Sequence, residues 1–310
     1  MAEAVGRDWA AKVDIRPLSL WFRRQYWRRH ADEADASVLW PGLRQVLSQR
    51  LAGEVSLVTA ATTRASPVQV ASRSVFTRSR LYPDLWYYGY LLTLPEFRRQ
   101  GLGERVMQAG LAEIRRAGGR YCSCYVEYGN RASVDLAEKL GLARLPWVRM
   151  VVRGAGGGAS GGVSLTPARS TDVRQCLAAG MGAAVHNLLG QGAGEAIAAD
   201  ELHVPGSSLP WRSPDSALFW MQMGEKVVGM ARVGGHKSVI VPVIDPLDGD
   251  VPQLIHAMVV AVSQGERPAF VFLPSAICEE YVRRYAGRDG VSCNVFDIFW
   301  GDITKPQGAR

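Results

Sequence analysis

Arg98-Arg99-Gln100-Gly101-Leu102-Gly103-Glu104 is the stretch whose residue types and spacing are best suited to chemistry. It follows the apolar run Leu91-Leu92-Thr93-Leu94 and a break at Pro95-Glu96-Phe97, and it leads into an apolar periodicity of helical spacing. A turn that opens into a helix gathers several main-chain N–H groups at the positive end of the helix dipole. Gly101 and Gly103 have no Cβ, so an anion can approach the main chain closely there. Arg98 and Arg99 add positive charge. Phosphate binding is the chemistry these features suit. Two common phosphate motifs are absent from the sequence: it has no G-x-x-x-x-G-K-[ST], and no G-x-G-x-x-G followed by a ribose-binding acid.

The elements that must position this turn can be read from periodicity. Trp21–Tyr26 and Leu43–Leu51 have helical patterns. Val55–Ala61 and Val68–Thr77 read as adjacent strands joined by a polar turn around Ser66-Pro67, and Tyr87–Leu94 as a long aromatic and aliphatic strand. Leu102, Val106, Gly110 and Ile114 share one face of a helix that stops at Gly118-Gly119. Tyr121–Val126 is a strand. Val134, Ala137 and Leu140 form the stripe of a further helix closed by Gly141, and Trp147–Arg153 is a last strand that closes the sheet. Strands mixed with helices, mostly antiparallel at the start, describe an α/β sandwich.

Length and charge divide the chain. Its 310 residues suggest two domains. The segment 154–162, Gly-Ala-Gly-Gly-Gly-Ala-Ser-Gly-Gly, has the composition of a flexible linker, which places domains at 1–153 and 163–310. The net charge of +7 is unevenly spread: 24 Lys and Arg face 14 Asp and Glu through Arg153, whereas 12 face 15 from Gly154 onward. The basic half holds the glycine turn, so a polyanionic ligand there, or an acidic partner, is the simplest functional reading. Nucleic acid is not expected, because no recognition motif accompanies the charge.

The two halves also echo each other. Val13–Leu18 returns as Val163–Ala168, Leu91–Pro95 as Pro242–Pro246, and Gly119–Val126 as Arg267–Leu273; each of the last pair leads to a helix that ends near a Gly, at Gly141 and Gly287. Near-constant offsets over these landmarks indicate a duplicated domain. Where the glycine turn should recur, the second half has Leu247-Asp248-Gly249-Asp250-Val251-Pro252. Its two acids would repel phosphate, and Pro252 removes a donor.

Five cysteines at low density argue against a disulfide framework, and Cys122-x-Cys124 has no second pair to complete a zinc site; two small packed residues are the simpler reading. His186, His203, His236 and His256 are too scattered for a metal or a triad, so no metal is expected. Arg23, Arg24, Arg28 and Arg29 interrupt the aromatic N-terminal stretch. Neither a signal peptide nor a membrane span is therefore expected, and a cytoplasmic location is the default.

With these residues in view, the chain resembles the GNAT superfamily of N-acetyltransferases. Arg98 through Gly103 meets the family pattern [QR]-x-x-G-x-[GA], with Leu94-Pro95-Glu96 as its lead-in; Asn130 followed by Glu138-Lys139-Leu140-Gly141-Leu142 meets a second. The resemblance implies two tandem GNAT-like domains, each a mixed, mostly antiparallel sheet flanked by helices, the second one degenerate. It implies acetyl-CoA as cosubstrate and an amine, on a small molecule or a peptide, as acceptor. It assigns the pyrophosphate to the turn, with Arg98, Arg99, Gln100, Gly101, Leu102, Gly103 and Glu104 as binding residues. Leu91, Leu92 and Thr93 would pair with the pantetheine arm, and Asn130 would hydrogen-bond it. The expected activity is direct transfer from acetyl-CoA to the amine.

Direct transfer needs a proton acceptor and a donor. Many family members place the donor, a Tyr, seven residues after the motif Asn; here that residue is Ala137. The strand Trp86–Leu91 holds no carboxylate either. Glu127 as base and Tyr128 or Tyr125 as acid are the catalytic candidates that remain. The alternative is a non-catalytic acetyl-CoA-binding regulatory module, motivated by Ala137.

Overall fold

The computed structural model describes residues 13–17, 56–63, 70–79, 81–155, 161–169, 172, 197, 200–202, 216–234, 237–243, 250–263 and 267–305. The expected helices at 21–26 and 43–51 lie outside these residues, as do His186, His203, His236 and residues 247–249. The described chain runs β1 (Val13–Pro17), β2 (Ser56–Thr63), β3 (Val70–Arg78), β4 (Leu85–Thr93), a short 3₁₀ turn (Pro95–Phe97), α1 (Leu102–Arg116), β5 (Tyr121–Glu127), α2 (Arg131–Lys139) and β6 (Ala143–Arg153). It continues as β7 (Val163–Pro167), β8 (Ser216–Met223), β9 (Lys226–Gly234), β10 (Ser238–Pro242), α3 (Val251–Val262), β11 (Ala269–Pro274), α4 (Ser275–Tyr285) and β12 (Ser292–Asp302). After the linker the order of strands and helices repeats, which is the duplication that the landmarks suggested. No helix among the described residues is long and apolar enough to cross a membrane.

The chain forms two compact units, Met1–Cys124 with Asp135–Leu142 and Gly301–Arg310, and Tyr125–Val134 with Ala143–Trp300. In the first unit β1 to β4 pair antiparallel in sequence order. β5 then returns parallel to β4, from Leu85 opposite Tyr121 to Tyr87 opposite Ser123. A parallel return needs a crossover, and α1 supplies it. Its apolar positions recur at helical spacing, so Leu102, Val106, Met107, Gly110, Leu111 and Ile114 are all buried. Leu102 and Val106 pack with Ala61 and Ala71 of β2 and β3, and Ile15 and Phe97 lie against them. Burying each large aliphatic chain contributes about 1.5–3 kcal/mol, so this face fixes where the N-terminus of α1 points.

The second unit repeats the plan: β7 to β10 are antiparallel and β11 is parallel to β10. α3 and α4 bury Ile255, Met258, Val262, Cys278 and Tyr281 in its core. The strand expected at Trp147–Arg153 forms and extends back to Ala143, but its direct neighbours are strands from the second half of the chain. It pairs antiparallel with β11 on one side and β12 on the other. Val148, Met150 and Val152 supply the reason, because all three are buried in the core under α3 and α4.

Candidate acetyl donor site

The chain leaves β4 at Thr93, and Leu94 still donates its N–H to Ala71 O. Pro95 then ends the strand, because it has no N–H for the ladder. The 3₁₀ turn follows, with Phe97 donating to Leu94 O and Arg98 to Pro95 O. Two side chains tie the loop back on itself: Arg98 Nε donates to Thr93 O at 3.0 Å and Gln100 Nε2 to Glu96 O at 3.0 Å. Arg99 and Gly101 both have positive φ, 59° and 71°. These bends turn the chain sharply into α1.

Gly101 is the N-cap of α1, and no side chain caps this end. The N–H groups of the first helical turn have no intrahelical carbonyl to meet, so Leu102, Gly103 and Glu104 can present theirs to a ligand. Gly103 is closely backed. A Cβ there would sit 3.3 Å from Thr93 Oγ1 and 3.9 Å from Leu91 Cδ1. Thr93 is itself fixed by Ser72, hydroxyl to hydroxyl at 2.9 Å. Glu104 is drawn toward Lys139, 3.7 Å away, and Gln108 donates to it. The one acid in the turn is therefore partly neutralised.

β4 is irregular just upstream. Opposite β3 the register slips between Arg73, which faces Leu92, and Val75, which faces Gly89, so β4 carries one extra residue at Tyr90-Leu91. Tyr90 takes φ 53°, a conformation that costs a bulky residue on the order of 1–3 kcal/mol, and its side chain is 51% exposed. The pairing with β5 runs from Leu85 to Tyr87. Gly89 to Thr93 therefore extend past that pairing, beside the helix terminus. No sequence signal marked Tyr90, because a bulge is a mismatch between two strands and leaves no periodic trace in either one.

The residues expected further along lie in the second unit. Asn130 Oδ1 accepts the N–H of Ser133 at 3.2 Å and caps α2. Its amide donors are what it can offer a ligand. Glu127 is exposed and accepts from Asn294 Nδ2 at 3.4 Å. Tyr128 donates its N–H to Val295 O and leaves its side chain 68% exposed. Tyr125 differs: its hydroxyl donates to Glu201 Oε1 at 3.1 Å, and the Arg149 guanidinium lies 3.7 Å over its ring. Burial, with the Glu201 charge added, pushes this phenol well above its usual range. Burial would also raise Glu201, but Lys237 and Arg149 outweigh it and hold the carboxyl at about 2. Ala137 is fully buried, and α2 closes past it with Leu142 N–H donating to Ala137 O.

Cys122 and Cys124 are both buried, as two small packed residues would be, and burial pushes the Cys124 thiol up to about 12. His256 stacks on Tyr285 at 4.2 Å, with Nδ1 3.2 Å from Tyr281 Oη. It is a packed histidine.

Residues 19–142 match the family model of the acetyltransferase (GNAT) family. Over these residues the chain is similar to the GNAT acetyltransferases. No curated protein matches the chain in sequence. Among solved structures, a protein assigned as an acetyltransferase from Pyrococcus horikoshii is similar over 96% of this chain and 92% of its own, at 10% identity and TM-score 0.53. A GCN5-related N-acetyltransferase from Kribbella flavida is similar over 94% and 71%, at 14% identity and TM-score 0.44. A tandem GNAT protein from the clavulanic acid biosynthesis pathway is similar over 95% and 99%, at 10% identity and TM-score 0.46. At such identities the likeness is one of fold, and only the first of the three exceeds a TM-score of 0.5. GNAT acetyltransferases use acetyl-CoA.

Proposed function

We propose that this chain is an acyltransferase that moves acetyl from acetyl-CoA to an amine by direct transfer, with the donor held by its first half. The supporting observation is the uncapped N-terminus of α1, with Gly103 set so closely against β4 that a Cβ would lie 3.3 Å from Thr93 Oγ1. In this reading the main-chain N–H groups from Arg99 to Glu104 bind the pyrophosphate, and Arg98 and Arg99 contribute charge. Leu91, Leu92 and Thr93 offer main-chain groups to the pantetheine arm, and Asn130 offers its amide. The thioester supplies an activated acetyl carbonyl. A main-chain N–H of β4 stabilises the oxyanion that forms there.

Proton transfer falls to Glu127 and Tyr128. Glu127 accepts the proton that the attacking nitrogen releases, and Tyr128 protonates the departing sulfur; both are exposed. Tyr125 is the weakest of the three candidates, because its hydroxyl is already committed to Glu201 and its proton is held tightly. The second reading, a regulator that binds acetyl-CoA without turnover, is favoured by one observation: the position usual for the acid is Ala137, buried in the core.

Calorimetric titration of acetyl-CoA into the wild-type protein and Gly103→Trp, followed by thiol release with a panel of amines, separates these readings. Binding in wild type, loss in the variant and release of thiol with an amine are expected. Absence of binding in wild type removes both readings, and binding without turnover favours the regulator.

A further inference from the structure

The segment that carries both proposed proton carriers is gripped by residues far away in sequence. Tyr125, Glu127 and Tyr128 belong to the second unit, and so do the groups that hold them. Tyr125 is the anchor. Its hydroxyl donates to Glu201 Oε1 at 3.1 Å, and the Arg149 guanidinium lies 3.7 Å over its ring. Lys237 Nζ at 3.0 Å and Arg149 at 3.7 Å keep Glu201 in its ionised, accepting form. Arg149 is itself set between two strands, opposite Phe272 of β11 and Phe296 of β12.

Stability alone does not account for this cluster. The Arg149 and Glu201 side chains are each only 15% exposed, and desolvation offsets much of the attraction between charges taken out of water. Arg149 Nε is buried with no hydrogen-bond partner among the described residues, a further cost. What the cluster does provide is position: the Tyr125 side chain is fixed both at its ring and at its tip.

That position carries over two residues. Alternate residues of a strand share a face, so fixing Tyr125 fixes where Glu127 points. β12 completes the hold. Asn294 Nδ2 donates to Glu127 Oε1 at 3.4 Å, Tyr128 donates its N–H to Val295 O at 2.8 Å, and the Phe296 ring lies 5.0 Å from the Arg149 guanidinium. Three consecutive residues of β12 thus meet the base, the acid and the cluster.

We propose that Tyr125 and Glu201 are positioning residues of the acetyl-transfer reaction, a hydrogen-bonded pair that sets Glu127 and Tyr128 for proton transfer. This rests on the reading of Glu127 as base and Tyr128 as acid. As the N–C bond forms and the C–S bond breaks, the proton of the nitrogen goes to Glu127 and the sulfur takes one from Tyr128; solvent then resets both. Tyr125 and Glu201 exchange no proton in this step and act through placement. The second half of the chain, which encodes Glu201, Lys237 and β12, takes part in catalysis in this way.

The test uses the full chain and acetyl-CoA, with thiol release measured for two acceptor probes, benzylamine and glycinamide. Tyr125→Phe keeps the ring under Arg149 and removes the hydroxyl. It should lower kcat about tenfold, since a small misplacement of a reacting group costs that much or more, while KM and the calorimetric Kd for acetyl-CoA stay within about twofold. Placed in the Glu127→Gln/Tyr128→Phe protein, the same change should cost no more than about twofold, because the groups it positions are already gone. Glu201→Ala should match the loss of Tyr125→Phe. Glu201→Gln still offers Tyr125 an acceptor oxygen and should regain most of that loss.

An unchanged kcat in Tyr125→Phe overturns the proposal. So does an equal loss in both backgrounds, which would mark Tyr125 as structural only. If Glu127→Gln/Tyr128→Phe keeps the wild-type kcat, the proton carriers are wrong and the proposal falls with them, while the donor site stands. Thiol release with neither probe, in a wild type that binds acetyl-CoA, removes the transfer reading and this proposal together. If either Glu201 variant does not fold, Tyr125→Phe in the two backgrounds still decides.

Discussion

The N-termini of α1 and α3 occupy the same place in the repeated order of elements, and the residues in front of them lead to opposite outcomes. At α1 the N-cap is Gly101 and no side chain reaches the terminal N–H groups. At α3 the N-cap is Asp250, whose Oδ1 accepts the N–H of Gln253 at 3.3 Å and whose other oxygen pairs with Arg284. Pro252, in the first turn of α3, brings no N–H at all. The second helix carries its own anion, covalently attached and already neutralised by a guanidinium. The first leaves the equivalent charge to come from outside. The two copies of the fold therefore differ at the cap: one helix end is satisfied by a side chain and the other is left open.

The largest effect that would break this comparison belongs to Gly103. Gly103→Trp should weaken acetyl-CoA binding by at least about a hundredfold, some 2.7 kcal/mol, because its side chain would fill the space before Thr93 and Leu91. Calorimetry measures the loss, and an unchanged Tm shows that the fold survives. Gly101→Ala should act more weakly. It forces a Cβ on a residue at φ 71°, so it should cost about 1 kcal/mol of stability and several-fold in affinity.

At α3 the expected losses are of stability alone. Asp250→Ala removes a cap and should lower stability by about 1 kcal/mol in chemical denaturation. The stoichiometry of acetyl-CoA binding should not rise, since Pro252 still withholds a donor. A second binding event in this variant would show that the aspartate was the whole difference between the two helices.

The smallest effect appears in acid. The bond to Arg284 lowers the Asp250 carboxyl below its usual value. A lowered folded pKa adds stability above the ordinary carboxylate pKa, and that stability is lost as pH falls through the folded value. Asp250→Asn keeps a capping oxygen without the charge. Its deficit in Tm relative to wild type should therefore be present at pH 6 and shrink to nothing as pH falls below the ordinary carboxylate range.

Much of this comparison was legible in the sequence, because it depends on local chemistry. Gly101 and Gly103 after Arg98-Arg99, followed by the stripe Leu102, Val106 and Ile114, announce a basic turn opening into an amphipathic helix. Asp248, Asp250 and Pro252 mark its copy as chemically different, with acids and a proline where the turn has glycines. Periodicity was less informative about partners. It assigned Trp147–Arg153 to a strand, but a period of two says which residues share a face and nothing about which sheet that face will join. The contact of Tyr125 with Glu201 spans 76 residues and crosses the linker, so no local pattern could carry it. That contact weakened Tyr125 as a candidate acid.

The sequence by itself determined the helix, its open N-terminus, the charge around it and the duplication. Each of these follows from residues within a few positions of one another, through backbone sterics and hydrogen-bonding capacity. The tertiary structure decided the rest. It set β6 between strands from the second half of the chain, because Val148, Met150 and Val152 are buried against α3 and α4. It also set Tyr90 at a bulge, because β3 and β4 differ by one residue between their paired positions. Both depend on pairings between distant segments, whose free energy exists only once the segments meet.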